Sequence, residues 1–233
     1  MNQELDFVKE MFDKIAPKYD FLNRLLSMRQ DVYWRREMVK AAQLKSGAAV
    51  LDAACGTCDV GLEVSRFLKG RTSITGLDFS FGMLALGKRK LSGPRGRAIC
   101  LVNGDALNLP VRNQQFDAGF MAFGIRNIMN RTGAMKEFYR TLNPGGRIII
   151  LELTTPQKGL MRRLYLLYFQ KILPIIGSFF SKHGNAYAYL PESVLKFPDP
   201  VSFANQMKAA GFKDIRFKEM TLGIVTLFVG IKL

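Results

Sequence analysis

Apolar residues along this chain change their period part-way. Leu5, Val8, Phe12 and Ile15 share one helical face, which predicts an amphipathic helix that stops at Pro17, and Phe21 to Trp34 continues in helix-compatible spacing. From Ala48 the period shortens. Residues 48–53, SITGLD (73–78), AICLVNGD (98–105), FDAGFMAF (116–123) and GRIIILEL (146–153) are short apolar runs of strand character. Helical stretches lie between them, over 60–68, 82–91 and 132–142, the last stopped by Pro144-Gly145-Gly146. Strand alternating with helix predicts a parallel sheet with helices on both faces. The alternation is interrupted between Glu152 and Leu195. A helix over 200–210 then ends at Gly211, and DIRFKEMT (214–221) and IVTLFVGIKL (224–233) predict a terminal antiparallel pair. No internal repeat or low-complexity tract is present.

Composition narrows the class. With 48% hydrophobic and 23% charged residues, 233 residues can bury a full core, and intrinsic disorder is excluded. Thirty-four Lys+Arg against 19 Asp+Glu give a net charge of +15, with one His. Such a surface suits phosphates, on nucleic acid or on lipid headgroups. The mean hydropathy of +0.04 is high for so basic a chain, so a membrane surface stays beside nucleic acid as a candidate partner. Three cysteines, and a Met1–Lys9 segment with neither an apolar core nor a transit pattern, lead us to expect a reducing compartment. The apolar stretch Leu164 to Phe180 is broken by Gln170, Lys171 and Pro174 and falls short of the roughly 20 clean residues a span needs. A soluble or peripheral protein is expected.

In such a sheet ligands bind beyond the carboxyl ends of the strands, so the first loop matters most. It reads Asp52-Ala-Ala-Cys55-Gly56-Thr57-Cys58-Asp59. Gly56, Cys58 and Gly61 fill the three glycine positions of a dinucleotide fingerprint, but a Cys side chain at the middle one obstructs a pyrophosphate. Cys55-Gly-Thr-Cys58 is also a C-x-x-C at a strand–helix junction, a redox signature that leaves Asp78 without a role. An adenosine ligand without a pyrophosphate tolerates Cys58. Asp78 closes the second strand, where a carboxylate can accept both ribose hydroxyls, and Asp105-Ala106 closes the third, where a carboxylate and the next N–H can read an adenine edge. Turn capping is the plainer use of both acids. A glycine loop with two such acids describes S-adenosylmethionine better than NAD.

These residues resemble the class I S-adenosylmethionine-dependent methyltransferases and, more narrowly, the ubiquinone/menaquinone biosynthesis C-methyltransferase family. The resemblance runs from about Phe7 to Gly230 through Tyr19-Asp20, Asn23, Leu26-Ser27, Trp34, VLDAACGTCD (50–59), GLDFSFGML (76–84), GDALNLP (104–110), Phe116-Asp117, AFGIRN (122–127), Arg140 with LNPGG (142–146), Glu152 and YLPES (189–193). Asp31 stands where the family usually has His, Asn143 where it has Lys, and Cys58 where it has Gly or Ala. The resemblance implies a Rossmann-like α/β fold: a seven-stranded, mostly parallel sheet with one antiparallel strand and helices on both faces. It implies one methyltransferase domain over 1–233, with an N-terminal helical cap (1–45) and a helical substrate lid (155–195). The implied cofactor is S-adenosylmethionine, held by Tyr19, Asp52, Gly56, Thr57, Asp78, Phe79, Asp105, Ala106 and Ala122, with no metal. The implied reaction methylates a ring carbon of a polyprenylated quinol: demethylmenaquinol, the benzoquinol precursor of ubiquinol, or both.

Ring-carbon methylation requires loss of a phenolic proton, and a phenol with a pKa near 10 is mostly neutral at pH 7. Arg126, beyond the fourth strand, offers a permanent charge and a rigid fork of donors to the phenolate, and Asn127 can orient the second oxygen. An ion-pairing arginine is the plainer use. Arg126 cannot accept the proton, so His183, Asp117 and Tyr19 are candidate bases. The segment 155–190 combines Lys158, Arg162, Arg163, Lys171 and Lys182 with Leu160, Met161, Leu164, Leu166, Leu167, Phe169, Ile172 and Leu173, and carries no acid. It reads as a lid resting transiently on anionic lipid at the inner face of the membrane, or as a helix in a homodimer interface. No nucleic-acid partner is expected, because neither a Pro-Pro-aromatic motif nor a Pro-Cys pair is present. A nucleic-acid methyltransferase and a non-catalytic cofactor-binding scaffold are the alternatives.

Overall fold

The computed structural model describes residues 3–157, 159–168 and 185–233. Their order begins with α1 (Gln3–Leu26), α2 (Gln30–Ala41), β1 (Ala49–Ala53), α3 (Asp59–Phe67), β2 (Ser73–Asp78), α4 (Phe81–Lys90) and β3 (Ile99–Asn103). There follow β4 (Phe116–Ala122), α5 (Arg131–Thr141), β5 (Leu142–Leu153), α6 (Gly159–Leu167), α7 (Asn185–Leu195), α8 (Pro200–Ala209), β6 (Lys213–Met220) and β7 (Val225–Ile231). The strands form one sheet in the order β3-β2-β1-β4-β5-β7-β6. All neighbours pair in parallel except β7, which is antiparallel to both β5 and β6. The expected Rossmann-like architecture, with its single antiparallel strand, is what the chain forms.

The strand runs alternate as the two faces demand. Val50, Ile149 and Leu151 join Trp34, Met38 and Val64 on the face covered by α2 and α3. Leu51, Ile148 and Ile150 join Phe138, Phe203 and Phe212 beneath α5 and α8. Side chains alternate sides along a strand, so one run of apolar residues feeds two cores. The edge strand β6 carries Lys213, Asp214, Arg216, Lys218 and Glu219 toward solvent, which discourages pairing with another chain.

Two expectations need correcting. Pro17 does not stop the first helix; α1 runs through it to Leu26. A proline inside a helix forfeits one hydrogen bond and strains the preceding turn, but here that turn is pinned from outside. Asp13 accepts from Ser80 Oγ at 2.5 Å and from the Gly82 amide at 3.1 Å, and a Cβ on Gly82 would come within 2.8 Å of the Asp13 carboxylate. The helical run to Trp34 is broken instead at Met28 and Arg29, both at positive φ. The second correction is at Pro144-Gly145-Gly146, which lies inside β5. Phe116 pairs with Leu142 and Ala118 with Arg147, so the intervening residues bulge out of the ladder, with Gly145 at φ 78°.

Candidate functional site

The carboxyl ends of β1, β2, β3 and β4 frame a cleft. β1 delivers the loop from Ala54 onward, whose Gly56 sits at φ +55° and donates its amide to Asp78 Oδ2 at 2.8 Å. The other Asp78 oxygen accepts from the Ser80 amide at 2.8 Å, so both are fixed by backbone while their outer lone pairs stay available. Burial pushes the Asp78 carboxyl up, against the lowering effect of these amides. Beyond β3, Asp105 Oδ1 accepts from the Leu107 amide at 2.9 Å and turns the chain so that Asp105 and Ala106 face the cleft. The cleft encloses about 170 Å³ and brings together Tyr19, Gly56, Asp78, Phe79, Asp105, Ala106 and Ala122.

Two of the expected cofactor residues do not line it. Asp52 lies beneath the loop, almost fully buried, with Oδ2 accepting from the Gly61 amide at 3.1 Å and Oδ1 unpartnered among the described residues. Desolvation lifts its carboxyl to about 7. Thr57 turns away, its hydroxyl donating to Asp20 at 2.6 Å and accepting from Lys90 Nζ at 2.9 Å. Both brace the loop from behind. The C-x-x-C thiols also point inward: Cys55 and Cys58 are buried with sulfurs 3.9 Å apart, and the neighbouring Cys58 thiol, with burial second, pushes the Cys55 thiol well up.

Several wall residues escaped sequence reasoning. Val8, Lys9 and Phe12 of α1 close the cleft from above. The spacing of Val8 and Phe12 marked an amphipathic helix face without saying against what it packs, and Lys9 lay outside that pattern.

A second group of polar side chains gathers across Phe123–Asn127. Arg126 is buried and ion-paired: Nη1 donates to Glu152 Oε1 at 2.8 Å and to the Phe123 carbonyl at 2.5 Å, and the Arg126 amide donates to Glu152 Oε2 at 3.1 Å. Its Nε–H has no partner among the described residues. Tyr189 donates its hydroxyl to Asn127 Oδ1 at 3.2 Å. The phenols of Tyr19, Tyr165 and Tyr189 all lie within electrostatic range of Arg126. Burial pushes the Tyr19 and Tyr165 hydroxyls up, so at neutral pH they are donors. Asp117 is far from this place. Its carboxylate takes the Ala49 amide and the Asn143 side chain, both at 2.9 Å, at the amino end of the sheet, which removes it as a candidate base. His183 lies outside the described residues, as do Lys158, Lys171, Lys182 and the apolar run beyond Tyr168.

The donor set of the cleft discriminates among cofactors. Asp78 and Asp105 face it with Lys9 as the one wall cation among the described residues. A pyrophosphate would meet carboxylates there, whereas a nucleoside bearing a positive sulfonium meets the right sign. A profile of the ubiE/COQ5 methyltransferase family matches residues 1–232.

The chain belongs to that family. The methyltransferase is 45% identical to the ubiquinone/menaquinone biosynthesis C-methyltransferase UbiE of Geobacter sulfurreducens, over 97% of this chain and 88% of that one. It is 44% identical to the demethylmenaquinone methyltransferase of Deinococcus radiodurans, over 97% and 92% of the two chains. An S-adenosylmethionine-dependent methyltransferase of Thermotoga maritima shares its fold, with a TM-score of 0.66 at 20% identity over 97% and 99% of the chains. The methyl donor is S-adenosylmethionine, which the sign of the cleft's charged walls fits.

Proposed function

We propose that the protein methylates a ring carbon of a polyprenylated quinol, demethylmenaquinol or the benzoquinol precursor of ubiquinol. The observation that carries this reading is the group of tyrosine hydroxyls within electrostatic range of the buried Arg126, next to Phe123 and Asn127, which line the cofactor cleft. The names carried by the Geobacter and Deinococcus relatives support the same chemistry.

S-adenosylmethionine supplies an electrophilic methyl group on a sulfonium. Asp78 takes the ribose hydroxyls, Asp105 and the Ala106 amide take the adenine edge, and Tyr19, Gly56, Phe79 and Ala122 form the walls. Asp52 and Thr57 act one layer behind, holding the loop. On the acceptor side the Arg126 Nε–H and the Asn127 amide donate to the quinol oxygens and orient the ring carbon. Because Glu152 offsets the Arg126 charge, Arg126 orients more than it acidifies, and alignment carries much of the rate, for which well-placed systems gain about 7–11 kcal/mol. His183 is proposed as the acceptor of the phenolic proton, directly or through water.

The partner and location belong to the same reading. The 155–190 segment forms a lid over the prenyl tail and touches the inner face of the membrane from the cytoplasmic side, with the exposed Arg162 and Arg163 facing anionic lipid; a homodimer through this segment is the competing use. Among the described residues no helix is long and apolar enough to cross a membrane. The test is a methyl-transfer assay with demethylmenaquinol, the benzoquinol precursor and tRNA side by side. Turnover of either quinol supports the reading, and turnover of tRNA alone overturns it.

A further inference from the structure

A second, larger cavity shares no wall residue with the cofactor cleft. It encloses about 660 Å³ between the α1–α2 corner, α3 and the Pro94–Ala98 turn. That is within the roughly 300–1,000 Å³ of small-molecule sites. Its walls carry five cations, Arg24, Arg35, Arg66, Lys90 and Arg95, against the acids Asp59 and Glu63. Four of the five are paired: Arg35 is buried and held by Asp31 at 2.5 Å, Lys90 bridges Asp20 at 2.8 Å and Asp59 at 2.5 Å, Arg24 reaches Asp59 at 3.3 Å, and Arg66 pairs with Glu63. The charge without an acid is Arg95 in the wall, Arg97 in the same turn, and Lys88 and Arg89 just before Lys90 at the end of α4. Lys88, Arg89, Arg95 and Arg97 are exposed, and none has an acid within 4 Å among the described residues.

Beside these cations stand apolar side chains that water alone does not favour. Leu25 and Met28, at the end of α1, are 45% and 84% exposed. Leu26 turns inward instead, onto Tyr165, Leu190 and Val194 of the acceptor-side helices. The last turn of α1 therefore has the basic cavity on one side and the acceptor side on another, and presents aliphatic groups between.

We infer that this corner docks on an anionic phospholipid bilayer, with headgroup phosphates at the exposed Arg95, Arg97, Lys88 and Arg89 and with Leu25 and Met28 in the interfacial layer. Cations flanking buried-capable aliphatic groups are what an anionic interface rewards, by charge attraction and by apolar burial together. A nucleic acid would use the cations but has no use for Leu25 and Met28, since bases stack on aromatic or guanidinium planes. The inference rests on the quinol reading only for the reason that a bilayer is at hand, and it is separate from the contact proposed for 155–190.

The test uses the full chain and flotation with phosphatidylcholine vesicles with or without phosphatidylglycerol. Partition onto the anionic vesicles should fall about 30-fold in an Arg95→Gln, Arg97→Gln variant, the fold-change that two cations at about 1 kcal/mol each imply. Leu25→Ser with Met28→Ser should remove the part that survives high salt. Turnover of a soluble short-tailed demethylquinol should be unchanged in both. Unchanged partition in the arginine variant overturns the inference, as does loss in Arg162→Gln, Arg163→Gln alone. Vesicle-independent thermal stabilisation by inorganic phosphate, abolished by the same variant, would mean a free-phosphate site and also overturn it. So would tRNA binding lost in that variant without vesicle binding. A wild type inactive on every quinol but still partitioning would fault the function and leave the surface standing.

Discussion

On the cofactor side of Ala122 the polar groups come from within a turn of the strands that carry them: Gly56 after β1, Asp78 ending β2, Asp105 after β3. Each is held by backbone amides nearby in space, as Asp78 is by Gly56 and Ser80. Around Arg126 the groups arrive from distant segments: Arg126 after β4, Glu152 in β5, Tyr165 in α6 and Tyr189 in α7, with Tyr19 of α1 shared with the cofactor cleft. They are held by side chains, above all by the buried Arg126–Glu152 pair. The polar part of the first half is a local construction, over which α1 closes with Val8, Phe12 and Tyr19. The second exists only when five segments are docked, so its residues carry stability and function together.

The comparison breaks most sharply at Glu152. Glu152→Gln leaves a buried guanidinium without its counter-charge, and urea unfolding should register a loss of about 3–5 kcal/mol; a loss below about 1 kcal/mol would mean that the pair is not what docks the acceptor side. Beneath the cofactor loop the sign is reversed. Asp52, lifted to about 7, binds its proton more tightly in the folded chain than in the unfolded one, where carboxyls titrate near ~3.9. Its contribution to stability is whole below about pH 4 and is lost as pH rises toward 7, by at most about 4 kcal/mol. Asp52→Asn should flatten that slope in thermal melts taken from pH 4 to 8, and an unaltered slope would place its cause elsewhere.

Smaller effects sharpen the division. Asp78→Ala removes two charge-assisted contacts worth about 1.5–3 kcal/mol each, so calorimetric affinity for S-adenosylmethionine should drop by roughly 100-fold or more; an intact affinity would refute its role. Tyr189→Phe deletes the bond to Asn127, worth about 1 kcal/mol. It should raise KM for the quinol several-fold at unchanged cofactor affinity, and a change in cofactor affinity instead would show that the two halves are not separable.

Legibility in the sequence follows the same division. Strand and helix positions could be read from period, because burial on two sheet faces writes itself into every run from Val50 to Leu151. Asp78 and Asp105 could be read because both sit at strand ends behind Gly76 and Gly104. Asp52 and Thr57 stand close together in the sequence and looked equally exposed to the ligand; only their partners, the Gly61 amide for Asp52 and Asp20 and Lys90 for Thr57, put both side chains behind the loop. Arg126 carried the right charge, but its commitment to Glu152, 26 residues on, has no local signature. Pro17 and Pro144 were read as breakers, and packing on α4 and a bulge in β5 absorbed them.

The basic excess was legible as +15 and nothing more. Asp31, where the family usually has His, gave no hint of its use, yet it lies buried against Arg35 behind the cationic cavity. What the sequence by itself determined was the order of the elements, the two-faced sheet, and the loops that must close over an adenosine ligand, since all of these depend on neighbours within a few residues. The tertiary structure alone decided which charges are spent on one another and which face outward, because ion pairs form across space between segments whose separation along the chain carries no information about their contact.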